Sequence, residues 1–313
     1  MVSKKLIQKV SRSFSLSLFF LPKAHREAVT LAYLLARFGD TLVDSGSWDT
    51  PTRLTHLENF ENAILFAKPN LWHLRNFPDG LTDAEHELLS IGPDLLTQFA
   101  SLPNDDRASI RVVIQKLFGA MKWDLSAFNG GTALNPIGPI EAEKQFDWYC
   151  ENIAGCVGEF WVRIFKLPES LIDPAIKYGK ALQRINIYRD APEDLKKGRI
   201  YFSQSLLRPF GLEKNLDWNT NNWKNFSDFY LNETEDLLEN GLKFSNAIFN
   251  SSRRLRWASY LPYGIGALTL KRLKLSRLGD RRVKISRSDV RGLALKAAWT
   301  SFFRKSFSSC SSA

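Results

Sequence analysis

Between Ala28 and Val43 the apolar residues Val29, Leu31, Ala32, Leu34, Leu35 and Phe38 crowd nearly the whole circumference of a helix. Such a helix has no face to offer water, so other helices must surround it. Helical periodicity also runs through 107–128, 141–165, 172–189, 226–249 and 253–275. No alternating series bounded by hairpin turns is found, which excludes a sheet protein. The class expected is all-α, with the helices gathered into a single bundle.

Turn and cap signals separate these segments: Asp49-Thr50-Pro51, Leu102-Pro103-Asn104, Asn129-Gly130-Gly131, Gly138-Pro139 and Gly198. None is long enough to act as a linker, so residues 1–300 are expected to form one domain and 301–313 a flexible tail. Cys150, Cys156 and Cys310 form no C-x-x-C pair, and His25, His56, His73 and His86 lie away from them, which leaves no zinc pattern. An odd, sparse cysteine count and the lack of an apolar leader segment point to the cytoplasm. Trp257–Leu270 is uncharged but too short, at 14 residues, for the roughly 20 that a membrane span needs.

Charge is uneven. Residues 251–305 carry fifteen Lys and Arg against Asp280 and Asp289, a local balance of +13 in a chain of net charge +10. Such a region suits phosphorylated substrates, an anionic membrane surface or a plain solvated face. No nucleic-acid reading module accompanies it, so nucleic acid is not expected as a partner. The tail 301–307, with Arg304 and Lys305 among phenylalanines, is a candidate for peripheral contact with a membrane.

The chemistry lies in two carboxylate sets. Asp40 and Asp44 are four residues apart in Arg37-Phe38-Gly39-Asp40-Thr41-Leu42-Val43-Asp44, so on a helix they share one face about 6 Å apart. Like charges so placed repel unless a cation bridges them. Oxygen ligands of this kind suit Mg²⁺, which keeps several waters and completes its shell with substrate phosphate. A second set runs from Gln183 to Asp194, where Asn186, Asp190 and Asp194 fall at i, i+4 and i+8. Pro192 stands within it. A proline inside a helix costs about 3 kcal/mol, so a kink or a helix end is expected there.

Further blocks accompany the aspartates in order: Ser11-Arg12-Ser13-Phe14 with Leu21-Pro22, Tyr33-Leu34-Leu35-Ala36-Arg37, Met121-Lys122-Trp123-Asp124-Leu125, Tyr149 through Gly158, and Gly198-Arg199-Ile200-Tyr201. In these blocks the chain resembles the squalene/phytoene synthase family from about residue 8 to residue 290. The resemblance implies a helical bundle of the isoprenoid synthase type around a central apolar cavity, with both aspartate sets at its mouth. It implies Asp40, Asp44, Asn186, Asp190 and Asp194 as metal ligands. Ser11, Arg12, Arg37, Gln183, Asn186, Arg189 and Arg199 are then expected to meet substrate diphosphate, Phe14 to line the cavity, and Tyr149 to handle a proton or stabilise a cation.

The reaction implied is Mg²⁺-dependent head-to-head joining of two prenyl diphosphates by a monomeric enzyme. The motif style is closer to squalene synthases, which favours farnesyl diphosphate and a C30 product formed through presqualene diphosphate. Geranylgeranyl diphosphate with a phytoene product is an alternative, as are products that stop at presqualene diphosphate or become dehydrosqualene or hydroxysqualene. NADPH is needed only for squalene. Gly264-Ile265-Gly266 completes no dinucleotide motif, and Lys196, Lys197 and Arg199 are equally suited to a loop cap, substrate or its phosphates, so NADPH use stays open. Phe38, Gly39, Pro192 and Phe202-Ser203 depart from the usual family pattern. A non-catalytic assembly protein on the same fold would be expected to lose the four aspartates, which are present.

Overall fold

A computed structural model describes residues 4–11, 14–68, 72, 74, 76–213, 216–248, 251–276 and 283–303, without the side chains of 4, 5, 11, 14–16, 302 and 303. No strand occurs among the described residues, where a lone parallel bridge joins Ile137 to Arg199. The chain divides into two compact units, one of 1–126 with 160–166 and the other of 127–159 with 167–313.

The first unit holds α1 (Lys4–Ser11), α2 (Phe14–Phe20), α3 (Lys23–Asp44), α4 (Thr50–Leu65), α5 (Asp83–Ser90), α6 (Gly92–Ser101) and α7 (Asn104–Ala127), whose final residue passes into the second unit. The all-round apolar stretch lies in α3, where Leu31, Leu34, Leu35, Phe38 and Leu42 are all buried. Phe38 stacks on Phe60 of α4 with centroids 4.0 Å apart and meets the Trp72 ring edge-on at 5.0 Å. Such ring pairs add to the burial term. Local chemistry fixes the helix starts. Asp49 accepts from Thr52 N at 2.9 Å ahead of α4, and a capping box of Thr82 and Glu85 opens α5.

The second unit holds α8 (Glu143–Cys150), a π-helical turn (Glu151–Gly155), the start of α9 (Cys156–Ile164), then α10 (Ile172–Lys196), α11 (Gln204–Leu207), α12 (Asn221–Ala247), α13 (Arg253–Leu275) and α14 (Arg287–Phe303). Its core forms where α10 and α12 meet. Tyr188 of α10 stacks on Trp223 and Tyr230 of α12 at 5.8 Å each and shares a 2.6 Å hydrogen bond with Ser227. The Tyr230 hydroxyl donates to Arg184 O at 3.1 Å, while Arg184 Nε donates to Thr234 Oγ1 at 3.0 Å. The buried guanidinium of Arg184 lies 4.6 Å over the Tyr230 ring, a cation–π contact strengthened by desolvation.

The π turn sits against α10 at a crossing that admits no side chain. A Cβ on Gly179 would lie 2.4 Å from Ala154 O, and one on Gly158 would lie 2.1 Å from Ala175 O. Extra width in the π turn follows directly after Tyr149 and Cys150, and such bulges recur at functional sites.

Pro192 falls inside α10, which runs on to Lys196 instead of ending there. The turn beyond it is held without the proline N–H: Lys197 N donates to Asp194 O at 2.9 Å, and Arg199 N donates to the same oxygen at 2.9 Å.

Candidate active site

In the first unit Asp40 and Asp44 occupy the last two turns of α3, because Leu34, Leu35, Phe38 and Leu42 commit the opposite side to the core. Arg37 stands one turn earlier and is shared. Its Nη1 pairs with Asp40, and its Nη2 donates to Glu85 Oε1 at 3.1 Å. Glu85 is placed by its cap, since its other oxygen accepts from Thr82 N at 3.0 Å and Thr82 Oγ1 at 2.8 Å. The carbonyls at the end of α3 are closed by Arg53 Nη1 on Val43 O at 3.0 Å and Ser45 Oγ on Thr41 O at 2.7 Å.

Three features of this pair would suit a bound cation. Desolvation by the surrounding helices and the neighbouring Asp44 push the Asp40 carboxyl up to about 6, against the pull of Arg37. Both carboxylates sit at the C-terminal, negative end of the α3 dipole, where anions are disfavoured. Asp44 is exposed and terminal, so it is accessible to an incoming ion.

In the second unit Gln183, Asn186, Asp190 and Asp194 form one half-buried stripe along the unbroken α10, opposite the buried Arg184, Ile185 and Tyr188. Arg189 forks onto Asp190, with Nε to Oδ1 at 2.8 Å and Nη2 to Oδ2 at 2.6 Å. The ion pair raises the Arg189 pKa, so this guanidinium is always charged. After α10 the chain reverses at Gly198, whose φ of +77° suits glycine and whose absent Cβ would lie 2.2 Å from Gly131 C. Ile137 N donates to Gly198 O and Ile200 N to Ile137 O, both at 2.9 Å, which pins the reversal and returns Arg199 beside the end of α10.

That reversal builds a group centred on Tyr149. The Tyr149 ring is buried and stacks on Tyr201 at 5.4 Å, and Tyr201 packs against Phe128 at 4.7 Å. Arg199 Nη1 donates to the Tyr201 hydroxyl at 3.3 Å, and its guanidinium lies 5.9 Å over the Phe128 ring. Asp194, Arg199 and Tyr201 line one small cleft with Ile187, Ala191 and Phe202. Sequence reasoning named Tyr149 and Arg199 but missed Tyr201 as a site residue. Its place at the end of the Gly198-Arg199-Ile200-Tyr201 block was the available signal.

Of the remaining candidates, Ser11 ends α1 and Phe14 opens α2, but their side chains, and Arg12 entirely, lie outside the described residues. No group of three or more His, Cys, Asp and Glu able to hold a metal by itself occurs among the described residues.

The family model for squalene/phytoene synthase matches residues 7–289. The chain belongs to the squalene/phytoene synthase family. It is 29% identical over 208 residues to a presqualene diphosphate synthase of Rhodopseudomonas palustris, covering 64% of this chain and 61% of that one. It is 27% identical over 248 residues to a 4,4'-diapophytoene synthase of Staphylococcus haemolyticus, covering 72% and 71% respectively. The fold is similar to that of TcSQS in its complex with the ligand E5700, with a TM-score of 0.69 at 18% identity over 96% of this chain and 89% of that chain. Both carboxylate sets, Tyr149 and Tyr201 all fall within the stretch matched by the squalene/phytoene synthase family.

Proposed function

We infer that the protein is a prenyltransferase that joins two prenyl diphosphates head to head, with farnesyl diphosphate as substrate and a C30 product. The observation that supports this most is the Asp40–Asp44 pair, where a half-buried carboxylate stands beside an exposed one at a helix C-terminus, a repulsion that makes sense once a cation and a diphosphate are bound. Asp40 and Asp44, and separately Asn186, Asp190 and Asp194, would hold Mg²⁺. When bound, the metal supplies Lewis-acid stabilisation of charge on the departing diphosphate.

The protein's own residues carry the rest of the reading. Arg37, and separately Arg189 and Arg199, would offer guanidinium donors to diphosphate oxygens, Arg37 and Arg189 giving up part of their pairing with Asp40 and Asp190 to do so, which favours the leaving group at the moment the C–O bond breaks. Gln183 and Asn186 add neutral donors on the same helical stripe. The electron pair leaves with diphosphate, the allylic cation is attacked by the double bond of the second substrate, and a proton is lost to close a cyclopropane. Tyr149, stacked on Tyr201 and buried, offers an aromatic face to the cation and a hydroxyl to the proton. An apolar cavity, with Phe14 among its residues, would keep water from the cation.

A second reading stops at presqualene diphosphate and uses no NADPH. It is favoured by the relative of that name, of which this chain spans 61%. Incubating the purified protein with farnesyl or geranylgeranyl diphosphate and Mg²⁺, with and without NADPH, and identifying products by mass spectrometry separates these readings. No diphosphate release in any combination would refute the enzyme reading. The Tyr149→Phe variant is expected to lose at least about tenfold in cyclopropane formation, as general acid–base groups contribute on that scale or more. Tyr201→Phe, which removes the acceptor for Arg199, is expected to have a smaller effect that appears mainly in KM. Equal, unchanged rates and products in both variants would return the pair to plain core packing.

The reading further places the protein in the cytoplasm as a monomer, touching a membrane surface peripherally. No described helix is long and apolar enough to cross a membrane.

A further inference from the structure

The two faces of α14 differ. Toward the rest of its unit it buries Ala297, Thr300 and Ser301, accepts Trp257 Nε1–H on Ala294 O at 2.9 Å, and brings Leu293 to within 3.2 Å of where a Cβ on Gly264 would stand. The other face exposes Arg291, Leu295, Lys296 and Trp299, with Leu295 73% and Trp299 61% exposed. Residues 291, 295 and 299 are successive i, i+4 neighbours and so form one stripe.

Among the described residues no acid pairs with Arg291 or Lys296. Asp289 is the acidic residue of α14, and it is taken by Arg272 Nη2 at 3.0 Å and by Ser286 Oγ at 2.6 Å. On the packed helix α13, Arg253, Arg254, Lys271 and Lys274 add positive charge, with Lys274 held by Glu235 at 2.5 Å. Leu275 at the end of α13 is 82% exposed. Single exposed apolar residues need no explanation, but a Leu–Trp pair one turn apart, with an arginine one turn before it and a lysine beside its leucine, in a stretch of local charge +13, is a different object. Tryptophan favours the headgroup level of a bilayer, and lysine and arginine beside it favour anionic lipid.

We propose that the exposed face of α14, carrying Arg291, Leu295, Lys296 and Trp299, docks the protein on the surface of an anionic lipid bilayer. The helix lies in the interface plane with Leu295 and Trp299 among the acyl boundary and the cations at headgroup level. This deepens the functional reading and rests on it only for its purpose, the transfer of an insoluble hydrocarbon product into lipid. Binding itself is measured without turnover, so either claim can fail alone.

The test is co-sedimentation of the full chain with vesicles of phosphatidylcholine alone or mixed with phosphatidylglycerol, at low and high salt. Binding is expected to the mixed vesicles, weakened by salt. The double variant Leu295→Gln/Trp299→Gln and the charge variant Arg291→Glu/Lys296→Glu are each expected to lower partitioning about tenfold or more. Their circular dichroism, and their turnover with substrate in detergent, should match the parent protein, because these side chains are exposed. Absence of vesicle binding by the parent protein, or equal binding by all three proteins, overturns the proposal. So does light scattering that shows a dimer lost in the double variant, which would make the face a contact between copies.

Discussion

Replacing Asp40 by Asn is expected to lower turnover of prenyl diphosphate by about 10²-fold or more, because an electrostatic contact that acts on charge developing in the transition state is removed. The same substitution is expected to stabilise the metal-free protein at neutral pH. The folded-state pKa of Asp40 is raised from 3.8 to about 6 by burial and by Asp44. A raised carboxyl favours the fold fully below its unfolded value, and that contribution disappears as pH rises through about 6. Above that pH the native state carries a desolvated charge beside another, a cost that a neutral amide side chain at this position does not incur. Thermal melts should therefore show Asp40→Asn and the parent protein alike near pH 4 and the variant melting higher above pH 6. Mg²⁺ with inorganic diphosphate should raise the parent melt more than that of the variant, which keeps only the ligand set of α10 intact. Asp190→Asn is expected to lose activity on the same scale, since it removes the carboxylate that Arg189 now pairs at 2.6 Å. Retained activity in both variants would refute the metal assignment.

Replacing Gly179 by Val is expected to cost about 3 kcal/mol of stability or more. A Cβ there would stand 2.4 Å from Ala154 O and 2.8 Å from Gly155 Cα, and backbone cannot swing aside as a flexible side chain can. Relief requires α10 and the π turn to separate. That would also displace Tyr149, one π turn before Ala154, from its stack on Tyr201. The expected result is a melting temperature lowered by several degrees, with turnover falling more than stability alone explains at a temperature where the variant stays folded. Gly119→Ala is the control: its added Cβ meets nothing within 4 Å, and both measurements should stay near the parent values. A Gly179→Val protein that melts and turns over like the parent would show that the crossing has slack.

Sequence and tertiary structure contributed different things here. The all-round apolar pattern from Val29 to Phe38 required a surrounded helix, and α3 is one. The spacing of Asp40 with Asp44, and of Asn186 with Asp190 and Asp194, could be read because periodicity within one helix is local and depends on nothing beyond it. Pro192 allows two local outcomes, a kink or a helix end, and the end does not occur: α10 runs on to Lys196, and Arg199 N returns to Asp194 O beyond it. Tyr201 reaches Tyr149 only because Gly198 reverses the chain against Gly131, a contact between residues 67 positions apart that no period encodes. The exposure of Leu295 and Trp299 was likewise settled by which side of α14 met Trp257 and Gly264. Sequence alone determined the helical class and the polar stripes proposed to hold metal, because these depend on residues a turn apart. Which aromatic, guanidinium and apolar groups came together, and which were left in water, was decided by packing between distant segments, whose energies depend on shape that a linear pattern does not carry.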